Sequence, residues 1–155
     1  MLVGFMENGV YWLRVLLVVL SIIGYGASIA GFIEYRSTTG VCELDGIGSV
    51  AVDCASVYEI PQAMLLGRFH LSEIAPIYFT LVGLSAVALW VRLDRISLYA
   101  LGLLLAIGVL SIPYLVYLEL FVARAICLWC TVMHLAIISI AVLWLMLVFR
   151  VKRGR

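Results

Sequence analysis

Charge is what this chain has least of. Asp, Glu, Lys and Arg make up 12% of its 155 residues, against about 25% in soluble domains. The net charge is +1, from ten Lys/Arg and nine Asp/Glu, which is no electrostatic footprint for nucleic acid. There is no C-x-x-C-H run, the signature of covalent haem attachment. Nor is there a G-x-G-x-x-G opening a strand–helix unit, the fingerprint of a dinucleotide site. Internal repeats and low-complexity segments are also missing. What fills the space is apolar: 66% of residues are hydrophobic and the mean hydropathy is +1.21. Disordered chains are polar and charged, so disorder is excluded. A soluble fold of this length could not hide so much apolar surface. An integral membrane protein remains.

Four stretches are free of Asp, Glu, Lys and Arg: Val15–Phe32, Ile74–Val91, Ile96–Leu118 and Ala125–Phe149. A membrane helix needs about 20 mostly apolar residues, and in lipid the backbone must satisfy itself within each segment. The expected fold is therefore an all-α, four-helix membrane bundle. It forms a single domain over 1–155, with spans at 10–32, 74–91, 96–118 and 125–149. Arg14 extends the first span by snorkelling to the headgroups. That span is too long for the apolar core of a signal peptide and reads as a permanent helix. Pro76 falls in the first turn of the second span, where proline is tolerated, and Pro113 kinks the third. Gly24 with Ser28, and Ala27 with Gly31, place small residues four apart, which admits a neighbouring helix closely.

An even number of spans puts both termini on one side. Arg14, Arg92, Arg95, Arg150, Lys152, Arg153 and Arg155 lie on that side, against Arg36, Arg68 and Arg124 on the other. The positive-inside bias then makes both termini cytoplasmic, with the acidic Ile33–Glu73 connection facing outward. Long connections are usually functional or disordered. Thr38-Thr39-Gly40 and Gly46-Ile47-Gly48 mark turns in this one. Ala55–Gly67 carries Val57, Tyr58, Ile60, Met64, Leu65 and Leu66. A helix broken at Pro61 and lying over the mouth of the bundle would bury them as a lid; the plainer alternative is a helix in the membrane interface.

Four cysteines form two pairs: Cys42 and Cys54 in the connection, Cys127 and Cys130 opening the fourth span. By the topology above all four sit at the outer, oxidising face. Cys127 and Cys130, at i and i+3, share a helix face. A helix N-terminus stabilises a thiolate, and a low-pKa thiol leaves readily in disulfide exchange. This spacing therefore suits making and breaking a disulfide. The plainer readings are cysteines packed as small apolar groups, a Cys42/Cys54 staple, or a zinc site, which usually shows two close pairs.

A dithiol at the lip of an apolar bundle needs an electron acceptor. A quinone held between helices accepts two electrons and two protons, the load a dithiol releases. His134 lies one turn beyond Cys130, about 6 Å deeper, and could bond a quinone carbonyl or carry a proton. Alternatively it is a neutral histidine bonded to a neighbouring helix. Tyr78, Phe79, Tyr114, Tyr117 and Trp129 line a ring pocket or form interfacial belts. Glu119 and Arg124 read as an interfacial ion pair.

The four spans, Cys42, the run Val52-Asp53-Cys54-Ala55-Ser56-Val57-Tyr58, the stretch Leu71-Ser72-Glu73-Ile74 and Cys127-Leu128-Trp129-Cys130 together resemble the vitamin K epoxide reductase family in its prokaryotic form. The resemblance covers essentially the whole chain. It implies a membrane disulfide oxidoreductase taking electrons from a separate, thioredoxin-like extracytoplasmic protein; apart from the resemblance, a monomer is expected. The quinone would be of menaquinone, ubiquinone or phylloquinone type. The implied relay starts when a partner thiolate opens a Cys42–Cys54 disulfide. Cys54 then attacks Cys127, and Cys130 leaves as a thiolate beside the quinone. The quinone site would take His134, Tyr58, Tyr78, Trp129 and Leu71. Three positions depart from the family pattern: Ile60 where a Ser or Thr is common, Leu71 where a polar residue is often seen, and His134 in place of an aromatic. These departures bear on epoxide chemistry and leave quinone reduction intact. Two rivals are a quinone-linked oxidase with its C-x-x-C in the first outer loop and a tetraspanin-like scaffold with structural disulfides.

Overall fold

A computed structural model describes residues 2–37, 42, 44–47, 50–65 and 68–153, and the side chains of 9–37, 42, 52–64 and 68–152. Four long helices dominate: α1 (Leu2–Ser37), α3 (Leu71–Val91), α4 (Arg95–Tyr117) and α5 (Leu128–Arg153). Each carries a stretch long and apolar enough to cross a membrane: Gly9–Ser37, Leu71–Val91, Arg95–Ala123 (α4 with the turn that extends it) and Leu128–Lys152. They close a ring in which α1 packs on α3 and α5, and α4 packs on the same two from the opposite side. Small residues allow the tight contacts: Gly24 faces the Phe79 ring, and Gly31 faces Tyr58 and Trp129. Outward positions stay apolar, among them Ile22, Ile77, Leu84, Leu103 and Leu110, as a lipid-facing surface requires.

The ends of the bundle differ. At the end holding the termini, Leu17, Val82, Ala86, Leu89, Leu101, Leu105, Ile140 and Leu147 pack into a closed core. Arg14 sits at this end, beside the end of α3. Its guanidinium donates to the carbonyls of Leu89 and Trp90, at 3.5 and 3.3 Å, satisfying acceptors that the end of α3 leaves open. Across the Arg92–Asp94 turn, the Asp94 carboxylate accepts from the Ser97 N–H at 2.9 Å and caps α4.

At the other end the connection folds down as a lid. Strand β1 (Leu44–Ile47) pairs antiparallel with β2 (Val50–Val52). Helix α2 (Cys54–Tyr58) is followed by a 3-10 turn at Pro61–Ala63 and a hairpin of β3 (Met64–Leu65) and β4 (Phe69–His70). The Asp53 carboxylate starts α2 by accepting the Ala55 N–H at 2.9 Å, and it also takes the Ser56 hydroxyl. The break at Pro61 falls where expected, but the chain after it is a turn and a hairpin rather than more helix. Val57, Tyr58 and Ala63 are buried against the bundle, so the segment is a lid and not an interfacial helix. The expected turn at Thr38-Thr39-Gly40, together with Gly48, Leu66 and Gly67, lies outside the described residues.

Three helix boundaries at the lid end differ from the sequence reading, each because of a partner from another segment. The first helix continues through Ser37 because Tyr35 stacks on His70 of the lid, with ring centroids 4.1 Å apart. The second begins at Leu71, before Ile74, because His70 caps it. His70 Nδ1 accepts the Ser72 N–H at 3.1 Å, and Glu73 accepts the His70 N–H, a reciprocal cap. The last begins at Leu128, beyond Ala125, because Ala125–Ile126 is drawn out as strand β5. It pairs in parallel with β2, Ala51 opposite Ala125 and Val52 opposite Ile126.

His70 ties the lid down. Since Nδ1 accepts, Nε2 carries the proton and donates to the Tyr58 carbonyl at 3.0 Å. Burial holds this imidazole below its ordinary pKa, so it is neutral when docked. An undocked His70, ionising at about 6.5, takes up a proton first. The docking contribution is therefore full above about pH 6.5 and is lost as pH falls toward the lowered folded value. Hydrogen exchange of residues 54–70, corrected for intrinsic rates, should speed up between pH 7 and pH 5. His70→Asn, which keeps a capping acceptor without a proton to gain, should exchange independently of pH over that range. A wild-type segment with no pH response would show that His70 does not hold the lid.

Candidate functional site

The β2–β5 pairing explains why the two cysteine pairs meet. Cys54 follows β2 by one residue and Cys127 follows β5 directly. The Asp53 N–H extends the ladder by donating to the Ile126 carbonyl at 3.1 Å. Cys42 and Cys54 are joined in a disulfide with Cα atoms 5.7 Å apart, a usual span for such a bond. Cys54 Sγ is 2.6 Å from Cys127 Sγ. The sulfurs of Cys42, Cys54 and Cys127 all lie within 4.8 Å of one another, and all three residues are buried. Two of these sulfurs are bonded to each other and offer no thiolate, so the cluster is not a zinc site as it stands.

Cys127 and Cys130 are free thiols. Cys127 occupies the cap of α5. Its carbonyl accepts the Thr131 N–H at 3.0 Å, and its sulfur accepts the Cys130 N–H at 3.4 Å. The Tyr58 hydroxyl lies 3.3 Å from the same sulfur. Cys130's thiol beside it, the Tyr58 hydroxyl and the Cys130 N–H hold Cys127 below the usual thiol pKa, against the opposing effect of burial. Burial and the neighbouring sulfurs push Tyr58 far above the ordinary phenol value, so it stays protonated and donates.

Beneath the lid is a cavity of about 360 Å³, within the size range of small-molecule sites. Tyr58 and His70 roof it, and Leu71, Tyr78, Phe79, Cys130 and His134 form part of its wall. The Tyr78 hydroxyl is committed to the Leu104 carbonyl at 3.0 Å, so Tyr78 presents its ring. His134 is 8% exposed, and among the described residues it makes no bond to a neighbouring helix. Trp129, expected at the ring pocket, is not on the wall. It packs on α1 at Gly31, because its place in the first turn of α5 points it at the small-residue stripe of α1. Tyr114 and Tyr117 are each 53% exposed and face outward.

The expected Glu119–Arg124 ion pair is not formed. Glu119 is 5% exposed and lines the cavity, with the Cys130 thiol as its partner. Arg124 ends a π-helical turn (Leu118–Ala123) in the left-handed conformation, φ 53°, and is exposed. A partial signal was present: Gly108, Ser111, Leu115 and Glu119 recur at helical spacing, and all four line the cavity. His70 was missed too, since a histidine is an uncommon capping residue.

A family model described as the vitamin K epoxide reductase family matches residues 15–145. The chain belongs to the vitamin K epoxide reductase family. The comparison with curated proteins returned no match. Members of this reductase family are oxidoreductases, and four spanning helices make this one a multi-pass membrane redox protein. The Cys42–Cys54 disulfide with Cys127 against it fits the thiol–disulfide chemistry of such a reductase.

Tyr58→Phe removes one donor to the Cys127 thiolate. Hydrogen bonds to charged groups contribute about 1.5–3 kcal/mol, so ionisation of Cys127 should move up by about one pKa unit or more. Labelling by iodoacetamide at neutral pH, read by mass spectrometry of the Cys127 peptide, should slow about tenfold. An unchanged rate would remove Tyr58 from the site's electrostatics.

Proposed function

We propose that this membrane domain is a quinone-linked disulfide oxidoreductase. It would carry electrons from a thioredoxin-like extracytoplasmic protein through Cys42/Cys54 and then Cys127/Cys130. The observation that carries the reading is the 2.6 Å approach of Cys54 to Cys127, with Cys130 on the cavity wall. Cys54 is bonded to Cys42 on one side and touches Cys127 on the other, so it is the exchange point between the pairs.

The relay balances as two thiol–disulfide exchanges and one oxidation. A partner thiolate attacks Cys42 and expels Cys54, and a second partner thiol closes the partner's own disulfide, leaving Cys42 and Cys54 reduced. Cys54 as thiolate attacks Cys127 of an oxidised Cys127–Cys130 pair and expels Cys130. Cys42 then attacks Cys54, restoring Cys42–Cys54 and leaving Cys127 and Cys130 reduced, the state the structure holds. Closing Cys127–Cys130 again releases two electrons and two protons.

A quinone of the menaquinone, ubiquinone or phylloquinone type would supply the acceptor for that load. The cavity fits it in three respects: mostly apolar walls, Cys130 on one of them, and a buried His134 facing in. Leu71, Tyr58 and the Tyr78 ring would hold the ring system, and His134 would bond an oxygen; Trp129 would act only by bracing α1. The excess of Lys and Arg around the termini supports a cytoplasmic placement for them and an outward-facing cysteine end.

The double variant Cys42→Ser, Cys130→Ser removes the thiols that would resolve a Cys54–Cys127 bond from either side. Under oxidising conditions, non-reduced digests should yield one peptide joining the Cys54 and Cys127 segments. If both thiols stay free, the pairs do not exchange and the relay fails. Reporter fusions at either terminus should read cytoplasmic and one inserted in Thr38–Gly48 should read outside; the opposite pattern would reverse the electron flow.

A further inference from the structure

Oxidation of the Cys127/Cys130 pair must dispose of two protons. Cys127 has its own provision, since its sulfur accepts from the Tyr58 hydroxyl and the Cys130 N–H. Cys130 has neither contact. We propose that Glu119 is the proton acceptor for the Cys130 thiol, taking its proton as the inner disulfide closes and returning it when Cys130 is expelled as a thiolate. The inference rests on Cys127/Cys130 being a redox pair.

Position comes first. Glu119 is the one carboxyl lining the cavity among the described residues. It is 5% exposed at the end of an apolar span, where ionisable groups are costly and mark function. No Lys or Arg pairs with it among the described residues, and its partner is the Cys130 thiol. The π-helical turn at Leu118–Ala123 carries the chain from the inward stripe of α4 out to Arg124, so the carboxyl is left inside while Arg124 is exposed.

The other titratable groups around the pair are committed or more distant. Tyr58 stays protonated and donates to Cys127. Glu34 of α1 acts on Tyr58. Both ring nitrogens of His70 are used, one by Ser72 and one by the Tyr58 carbonyl. Tyr78 donates to Leu104. His134 stands a helical turn beyond Cys130. The step is a proton transfer with no change of oxidation state. The S–H bond of Cys130 breaks, an O–H bond forms on Glu119, and the negative charge moves from carboxylate to sulfur. Burial penalises charged carboxylates, so a protonated acid is a stable resting place for the proton.

The test uses the full chain in detergent, reduced and then re-oxidised by diamide, with neither quinone nor partner present. Closure of Cys127–Cys130 is followed by mass spectrometry across pH 5 to 10. The wild type should close fast at neutral pH, its rate rising with ionisation of the carboxyl. Glu119→Gln should close about a hundredfold more slowly at pH 7, the lower end of general-base effects. It should recover only as free thiols ionise near about 8.5. Glu119→Asp should keep the wild-type profile at reduced rate, and Tyr114→Phe, on the outward face of α4, should keep both rate and profile. Re-formation of Cys42–Cys54 in the same samples reports an intact fold, and if Glu119→Gln does not fold, the Asp profile decides. A Gln variant that closes as fast as wild type, or faster, overturns the proposal, as does one slowed equally at every pH. Transfer of the effect to His134→Gln also overturns it. A wild-type pair that diamide cannot close would instead refute the redox reading beneath it.

Discussion

The site depends on two backbone register pairs. Ala51 with Ala125 and Val52 with Ile126 join segments about seventy residues apart in the chain. A parallel pairing needs a long crossover between its strands, and here α3 and α4 supply it. Because each strand ends next to a cysteine, the register sets the sulfur–sulfur approach. A slip of one residue would turn every side chain to the opposite face and separate Cys54 from Cys127. The Cys42–Cys54 disulfide, the His70 cap and the Tyr35–His70 stack all reinforce that placement from the lid side.

Polarity runs against the usual order for a membrane bundle. The outward surface is largely apolar, whereas the buried groups at the lid end include Ser28, His70, Ser72, Glu119 and His134. Groups of this kind are expensive inside a bilayer and persist where they line a cavity or a proton route. The opposite end is a closed core of Leu, Val, Ala and Ile. One half of the bundle thus provides stability and the other carries the chemistry. The small-residue stripe of α1 links the halves by letting Phe79, Tyr58 and Trp129 approach closely.

Each sulfur has a different environment, and the differences would give the proposed exchange its direction. Cys127 has hydrogen-bond donors on two sides of its sulfur, which favour its thiolate. Cys54 is held by a disulfide yet within contact of that nucleophile. Cys130 looks into the cavity with a carboxyl beside it. In the proposed relay the same residue type would serve as relay, pivot and terminal donor because the lid, the strand pair and the α5 cap surround it differently.

Composition and hydropathy alone determined the membrane bundle, since four uncharged runs of spanning length have no other stable arrangement. The spacing of Cys127 and Cys130, and the helix break at Pro61, were equally plain because both follow from local geometry. Helix ends were misjudged where a partner from elsewhere decided them: His70 capping α3, Tyr35 stacking on His70, and β2 drawing Ala125–Ile126 into a strand. Such short strands leave no periodic pattern to read. Trp129 and the Glu119–Arg124 pair went wrong because which face of a helix meets a cavity depends on its neighbours. The helical spacing of Gly108, Ser111, Leu115 and Glu119 was present in the sequence, but only the packed bundle shows that this face is the inner one. Proximity of Cys54 to Cys127 belongs entirely to tertiary structure, because no local rule connects a loop to the start of a helix two spans later.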